Sequence, residues 1–267
     1  MSTHREPSPL LWRKQLPAAA ALLLLVAWET AARLGLVSRI FLPSPTRIFT
    51  FLFESLLEGD LLPAIGATLG RMGTGFALGV VPALLLGWGM GRLARLSMFF
   101  DPIIAALHPV PKIAIFPLLM LVFGIGEASK VVVIGITTFF PVVINTYAGT
   151  RQINPVYFEV ARNYGARRWQ VLSRVILPGS LPTVLAGVRI ALNISLVISL
   201  SVELLASRTG LGVMIWFAWQ TLRVEQLFGV IFITALIGIA INGLVVWTAR
   251  RLAPWSRTAG DRSGSGN

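Results

Sequence analysis

Long apolar runs separated by short basic connections dominate the chain. Six of them approach the roughly 20 residues that a helix needs to cross a hydrocarbon core, at about 16–34, 64–91, 102–123, 130–150, 183–205 and 228–249. Glu29 interrupts the first, and the third holds Pro109, Pro111, Lys112 and Pro117. Prolines are compatible with membrane helices when neighbours satisfy the freed backbone groups, so the third run is kept as a span; a five-span alternative stays open. The expected fold is an all-α, polytopic membrane bundle of six transmembrane helices. Residues 1–15 precede it, the membrane domain runs over 16–250, and the 251–267 tail, rich in Gly, Ser and Arg from Ser256, is expected to be disordered.

The basic residues orient the bundle. Arg13 and Lys14 precede the first apolar run, but no small-residue cleavage site followed by a polar domain comes after it. It therefore reads as an uncleaved span and not as a signal peptide. With the N-terminus inside, Arg5, Arg13 and Lys14, then Arg92 and Arg95, the arginines from Arg151 to Arg174, and those from Arg250 to Arg262 all fall on one side. The opposite side holds the sparser Arg33, Arg39, Arg47, Lys130, Arg208 and Arg223. Positive residues gather on the cytoplasmic face of membrane proteins, which places both termini and the 151–182 connection in the cytoplasm.

Composition narrows the chemistry. Hydrophobic residues make up 55% of the 267 positions and charged residues 13%, against about 25% charged in soluble domains. The net charge of +12 is carried in clusters between apolar spans, which does not describe a nucleic-acid-binding face. There is no cysteine, and His4 and His108 are the only histidines, so thiol chemistry and a histidine metal cluster are excluded and no cofactor is expected. The lysines are Lys14, Lys112 and Lys130, none after a glycine. A phosphate-cradling loop needs a Gly-Lys pair, so the chain has no such ATPase of its own.

Within the spans, Gly66 and Gly70, Gly75 and Gly79, and Gly87 and Gly91 are spaced four apart, a small-residue stripe that lets another helix approach closely. Ionisable side chains inside a span face the bundle, a cavity or an interface. Arg71, Lys112, Asn145 and Glu203 are the polar side chains within or at the ends of spans that are candidates to line a cavity. Each also has a plainer reading: Arg71 as a structural pair, Lys112 as an interfacial side chain, Asn145 as a bridge between helices, Glu203 as a partner of a nearby base. Arg189 reads as snorkelling, Asn193 and Asn242 as helix bridges, His108 as interfacial, and Glu29 as paired.

The 151–182 connection is the most polar interruption. Asn154-Pro155 is a helix start, since Asn caps free N–H groups and Pro suits the first helical position. Glu159 falls early in that helix and Gly165 is placed to end it. Val156, Val160 and Tyr164, with Tyr157 and Ala161 beside them, form one apolar stripe. A helix of about ten residues is too short to stand alone in water, so the stripe needs the bilayer interface or a partner's groove.

Glu159, Ala161, Gly165, Ile176, Leu177 and Pro178 resemble the coupling (EAA) loop of ABC importer permeases, and Val160 departs from it, the family usually having alanine there. Ala67-Thr68-Leu69-x-Arg71, Gly75-Phe76-x-Leu78-Gly79, Asp101-Pro102, Pro109-Val110-Pro111, Phe116-Pro117-Leu118, Phe123-Gly124-Ile125-Gly126-Glu127 and Thr209-Gly210-Leu211-Gly212 resemble the nitrate, taurine and aliphatic-sulfonate branch, over roughly residues 60–250. The resemblance implies a type I importer permease in a bacterial inner membrane, working as a homodimer with ATP-binding subunits and an extracytoplasmic solute-binding protein. It implies ATPase coupling through Glu159, Val160, Ala161, Tyr164, Gly165, Ile176, Leu177 and Pro178, and a small anionic solute, for whose translocation pathway Arg71, Lys112, Asn145 and Glu203 are the candidates, Arg71 or Lys112 supplying weak positive potential. The competing readings are an ion-gradient-driven secondary carrier, which would show matched interrupted spans in two halves, and a membrane enzyme, which would need convergent acid, base or metal ligands.

Overall fold

The computed structural model describes residues 10–38 and 41–255, with side chains from Ala19 onward. Of the 251–267 tail expected to be disordered, Arg251 and Leu252 end a helix and residues 256–267 lie outside the described residues. Every regular element among the described residues is helical. They are α1 (Leu10–Arg33), α2 (Pro45–Glu58), α3 (Leu61–Arg92), α4 (Ala94–Leu107), α5 (Phe116–Phe123), α6 (Glu127–Arg151), α7 (Pro155–Asn163), α8 (Arg168–Val171), α9 (Leu177–Ala206), α10 (Leu211–Gln220) and α11 (Val224–Leu252).

Among the described residues, four helical runs are long and apolar enough to cross a membrane: α3, α6, the run Arg168–Ala206 that ends in α9, and α11. The first expected run lies on α1, which already begins at Leu10. The third expected span is not one helix. α4 and the stretch Lys112–Phe123 are bent by 87° about the break between them. Pro109 and Pro111 lie in that break, and neither has an amide hydrogen with which to continue the helix of α4. Two shorter helices were not anticipated. Pro45 starts α2 and Gly59, at φ 85°, ends it, while α10 follows Gly210.

The described chain divides into two compact units. One gathers the residues up to Leu61 with Met214–Phe232. In it the Trp28 indole donates to the Pro43 carbonyl (3.1 Å), and the Trp28 and Phe228 rings lie 6.1 Å apart. Glu29 is paired as expected, accepting from Arg33 (2.5 Å) and from the Thr46 amide and hydroxyl.

The other unit, Leu62–Val213 with the chain from Ile233, carries the core. α6 runs through its middle, with Val133, Ile134, Val142 and Val143 fully buried. α3 lies against α6 through part of the glycine stripe. A Cβ at Gly75 would sit 2.6 Å from the Ile134 Cβ, one at Gly87 2.6 Å from the Thr146 Cβ, and Gly79 would collide with the Gly135 carbonyl and Thr138 hydroxyl. Gly66 and Gly70 face open space, so the stripe is used only from Gly75 onward. On its other side α6 meets α9, where a Cβ at Gly187 would lie 2.6 Å from the Asn145 Cβ. Backbones this close gain dispersion where lipid offers no hydrophobic drive.

Candidate functional site

Where α3 and α6 begin and α9 ends, a charge cluster is held by residues far apart in sequence. Arg71 on α3 is buried, and so is the Glu203 carboxylate on α9 (0% exposed). Arg71 Nη1 donates to Glu203 Oε1 (2.7 Å) and to the Thr209 carbonyl (2.6 Å), and Nη2 donates to the Thr209 hydroxyl (2.9 Å). Nε and Nη2 form a side-on fork on the two oxygens of Glu127 at 2.6 and 3.0 Å. Lys130, one turn further along α6, donates to Glu127 Oε1 (3.0 Å). All five guanidinium N–H groups have acceptors, and the cluster pairs two cations with two carboxylates.

The second oxygen of Glu203 is satisfied by the Thr68 hydroxyl and the Gly212 amide, each at 2.9 Å. Thr68 in turn accepts from the Leu211 amide (2.9 Å). The turn 209–212 therefore wraps a buried carboxylate. Gly210, at φ +124°, leaves no room for a side chain there, since a Cβ would lie 2.4 Å from Glu203 Cδ. Glu203 was expected to pair with a nearby base; its base is Arg71.

The other pathway candidates are also engaged inside the chain. Lys112 Nζ donates to the Leu107 (2.9 Å) and His108 carbonyls at the end of α4 and sits 4.3 Å from the Phe140 ring centroid. A cation at a helix C-terminus meets the negative end of the dipole. Asn145 donates to the Pro141 carbonyl of its own helix (2.8 Å), so it makes no hydrogen-bonded bridge. Arg189 Nε donates to Asn242 Oδ1 (2.6 Å), joining α9 to α11.

At the opposite end of α6, α7 forms the short helix expected of the polar connection. Asn154 Oδ1 accepts from the Val156 amide (3.0 Å), the cap expected of it. Past the last turn the Gly165 amide donates to the Arg162 carbonyl (3.0 Å) and the Ala166 amide to the Ala161 carbonyl (2.9 Å). This is the paired-bond termination that needs a left-handed residue, and Gly165 supplies it at φ +68°. Phe158 and Ala161 are half-buried, and the Arg92 guanidinium stacks 4.1 Å over the Phe158 ring. The opposite face is open: Val156 (55%), Tyr157 (63%), Val160 (48%) and Tyr164 (87%) are exposed, as is Glu159. The expected stripe is thus present, with Ala161 alone of its members turned partly inward.

Ile176, Leu177 and Pro178 do not lie in a loop. α8, a π turn (Leu172–Ile176) and α9 follow one another without a break, and Pro178, which has no N–H to donate within that run, stands just past the π turn. Ile176 is buried and Leu177 and Pro178 are half-buried. Thr68, Glu127, Lys130, Thr209 and Phe158 take part in the two regions without having been singled out. Thr68, Glu127 and Thr209 did stand inside the motif stretches quoted above, but no spacing in the sequence links one stretch to another.

Comparison with known proteins bears on both regions. The family model described as binding-protein-dependent transport system inner membrane component matches residues 75–258. The chain is 35% identical over 244 residues to a putative aliphatic sulfonates transport permease protein of Bacillus subtilis, covering 91% of this chain and 88% of that protein. It is 33% identical over 252 residues to the taurine transport system permease protein of Escherichia coli, covering 92% of each. A formylaminopyrimidine transport permease protein of Halalkalibacterium halodurans is 32% identical over 90% of this chain and 96% of its own length. Among solved structures, an inward-facing MetNI methionine ABC transporter superposes with a TM-score of 0.64 at 18% identity over 74% of this chain and 98% of that one. A bacterial alginate ABC transporter, in complex with an alginate-bound periplasmic protein, gives 0.64 at 18% identity over 91% and 98%.

Proposed function

The chain belongs to the family of binding-protein-dependent transport system inner membrane components, and from that premise we propose that the open face of α7 is its docking surface for the ATPase. As a member it is a multi-pass permease subunit of an ATP-driven importer; it is not an enzyme, and ATP is hydrolysed on a separate subunit. The observation that carries the docking is the split of α7 into two faces. Phe158 and Ala161 hold it to its own chain, while Val156, Tyr157, Val160 and Tyr164 stand in the open. A short amphipathic helix laid into a groove is a recurrent recognition mode, and a capped helix with a fixed end passes on a push with little loss to fraying. Glu159 lies on the open side with no ion-pair partner among the described residues. Gly165 ends the helix, and Ile176, Leu177 and Pro178 carry the displacement into α9.

The basic clusters put α7 and both termini on the cytoplasmic side, and the Arg71 cluster on the outer side. We assign the solute to the sulfonate and taurine class, on the two relatives of that description. Arg71, Lys112, Asn145 and Glu203 already have their hydrogen bonds within the chain. Selection among solutes accordingly falls to an extracytoplasmic binding protein, and the path is completed by a second permease copy. Co-purification from membranes tests the docking. The wild type should retain an ATPase with vanadate-sensitive activity and Glu159→Lys should lose it; equal retention by both removes α7 as the docking surface.

A further inference from the structure

A pocket of about 590 Å³ opens where α3 ends, bounded by α8 and the π turn that leads into α9. Arg92 and Arg168 both line it, with Trp88, Leu85, Leu172 and Ile176, and no acidic side chain is among its lining residues. Neither guanidinium has a carboxylate or hydrogen-bond acceptor among the described residues. Arg92 is stacked on Phe158, which occupies its face and leaves its N–H edge free. Trp88 is fixed in place, its indole donating to the Ser180 hydroxyl (3.1 Å). Two exposed arginines without an acidic neighbour in the lining make this pocket suited to an anion from outside the chain.

The shape of the wall says what carries that anion. From Arg92 the lining runs back along α3 through Gly89 and Trp88 to Leu85, seven residues or about 10 Å at the helical rise. Leu85 and Leu93 are 66% and 57% exposed. A soluble anion gains nothing from an aliphatic wall of that length, whereas an acyl chain does. We propose that this pocket binds an anionic phospholipid, its phosphate between Arg92 and Arg168 and an acyl chain along Trp88 and Leu85. Basic pockets between membrane helices recognise headgroups in this way, and a guanidinium meets phosphate oxygens with two parallel N–H groups. The inference rests on α3 and α9 crossing the membrane and is independent of ATPase docking.

Native mass spectrometry of the full chain in detergent tests it, with phosphatidylglycerol, phosphatidylcholine and inorganic phosphate as separate probes. The wild type should bind phosphatidylglycerol in preference to phosphatidylcholine. Arg92→Gln and Arg168→Gln should each weaken the phosphatidylglycerol adduct about fivefold, the factor for one arginine near an anionic lipid. Phosphatidylcholine binding, unchanged in both, reports that the variants are folded, and Arg92→Lys combined with Arg168→Lys should keep the preference. Glu159→Lys should not alter it, which separates this site from the docking face. Equal binding of the two lipids by the wild type, or arginine variants that keep the full preference, overturns the proposal. So does inorganic phosphate binding as tightly as the lipid, or Arg168→Gln losing the ATPase while phosphatidylglycerol binding stays intact.

Discussion

Arg71 and Glu203 stand 132 positions apart, and each solves the other's problem of being charged and buried. Removing one partner leaves an uncompensated charge, which typically costs about 3–5 kcal/mol, whereas replacing both together costs much less. Arg71→Ala should therefore lower the thermal midpoint of the detergent-solubilised protein strongly, and Arg71→Met combined with Glu203→Gln should recover most of the loss. A double variant no better than the single one would show that the cluster is not coupled. Gly210→Ala should be damaging by a different route, because its Cβ meets the Glu203 carboxylate and its φ of +124° suits only glycine. The in-span charges were visible in the sequence, and a structural pair was among the readings of Arg71. The partner was not legible, because nothing in a linear pattern connects Arg71 to Glu127, 56 residues on, or to the Thr209 carbonyl. The same cluster explains why Arg71 offers little to a passing anion: its donors are all taken.

Helices are the scale at which periodicity speaks most directly. α3, α6, α9 and α11 are long apolar runs ended by basic clusters or breaks, and a pattern of length and hydropathy suffices to find them. The third run is not a single helix because hydropathy does not register the backbone cost of Pro109 and Pro111. α2 and α10, of 14 and 10 residues, are too short to stand out from connections by composition. The glycine stripe was legible in spacing but not in use, since spacing does not tell which glycines meet a neighbour. Gly79→Leu should abolish stable insertion, because its side chain has to displace the Gly135 backbone of α6. Gly66→Ala should be neutral or raise stability by up to about 1 kcal/mol, since nothing lies within 4 Å and alanine loses less entropy on helix formation. Yield and thermal midpoint in detergent check the pair, and equal tolerance at both positions would contradict the packing of α3 on α6. Asn154→Ala removes the cap of α7 and should cost about 1 kcal/mol of local helix stability, read as faster amide exchange over Val156 to Phe158.

For the whole molecule the question is whether the open face of α7 carries work between chains. The helix could be read from Asn154-Pro155 to Gly165 because caps are local chemistry, and its apolar stripe because spacing on a helix is fixed. Phe158, the residue that ties it back to Arg92, was not legible, since both sides of a nine-residue helix carry aromatic or aliphatic side chains. Two lesions separate docking from transmission. Glu159→Lys reverses a charge on the open face, and truncating one member of a buried interfacial charge pair typically costs 2–5 kcal/mol, so it should weaken ATPase association about 30-fold or more. Gly165→Pro should act differently. Proline fixes φ near −65° where the chain needs +68°, and it deletes the amide that donates to Arg162. The open face survives, but the end of α7 is no longer held, so the ATPase should still associate while its turnover no longer drives uptake. Reconstituted vesicles give both readings at once, as ATP consumed and solute accumulated. If both variants import at the wild-type rate, α7 is not the coupling element. If Gly165→Pro loses the ATPase as completely as Glu159→Lys, the Gly165 terminus belongs to the docking surface itself and not to the transmission of its motion.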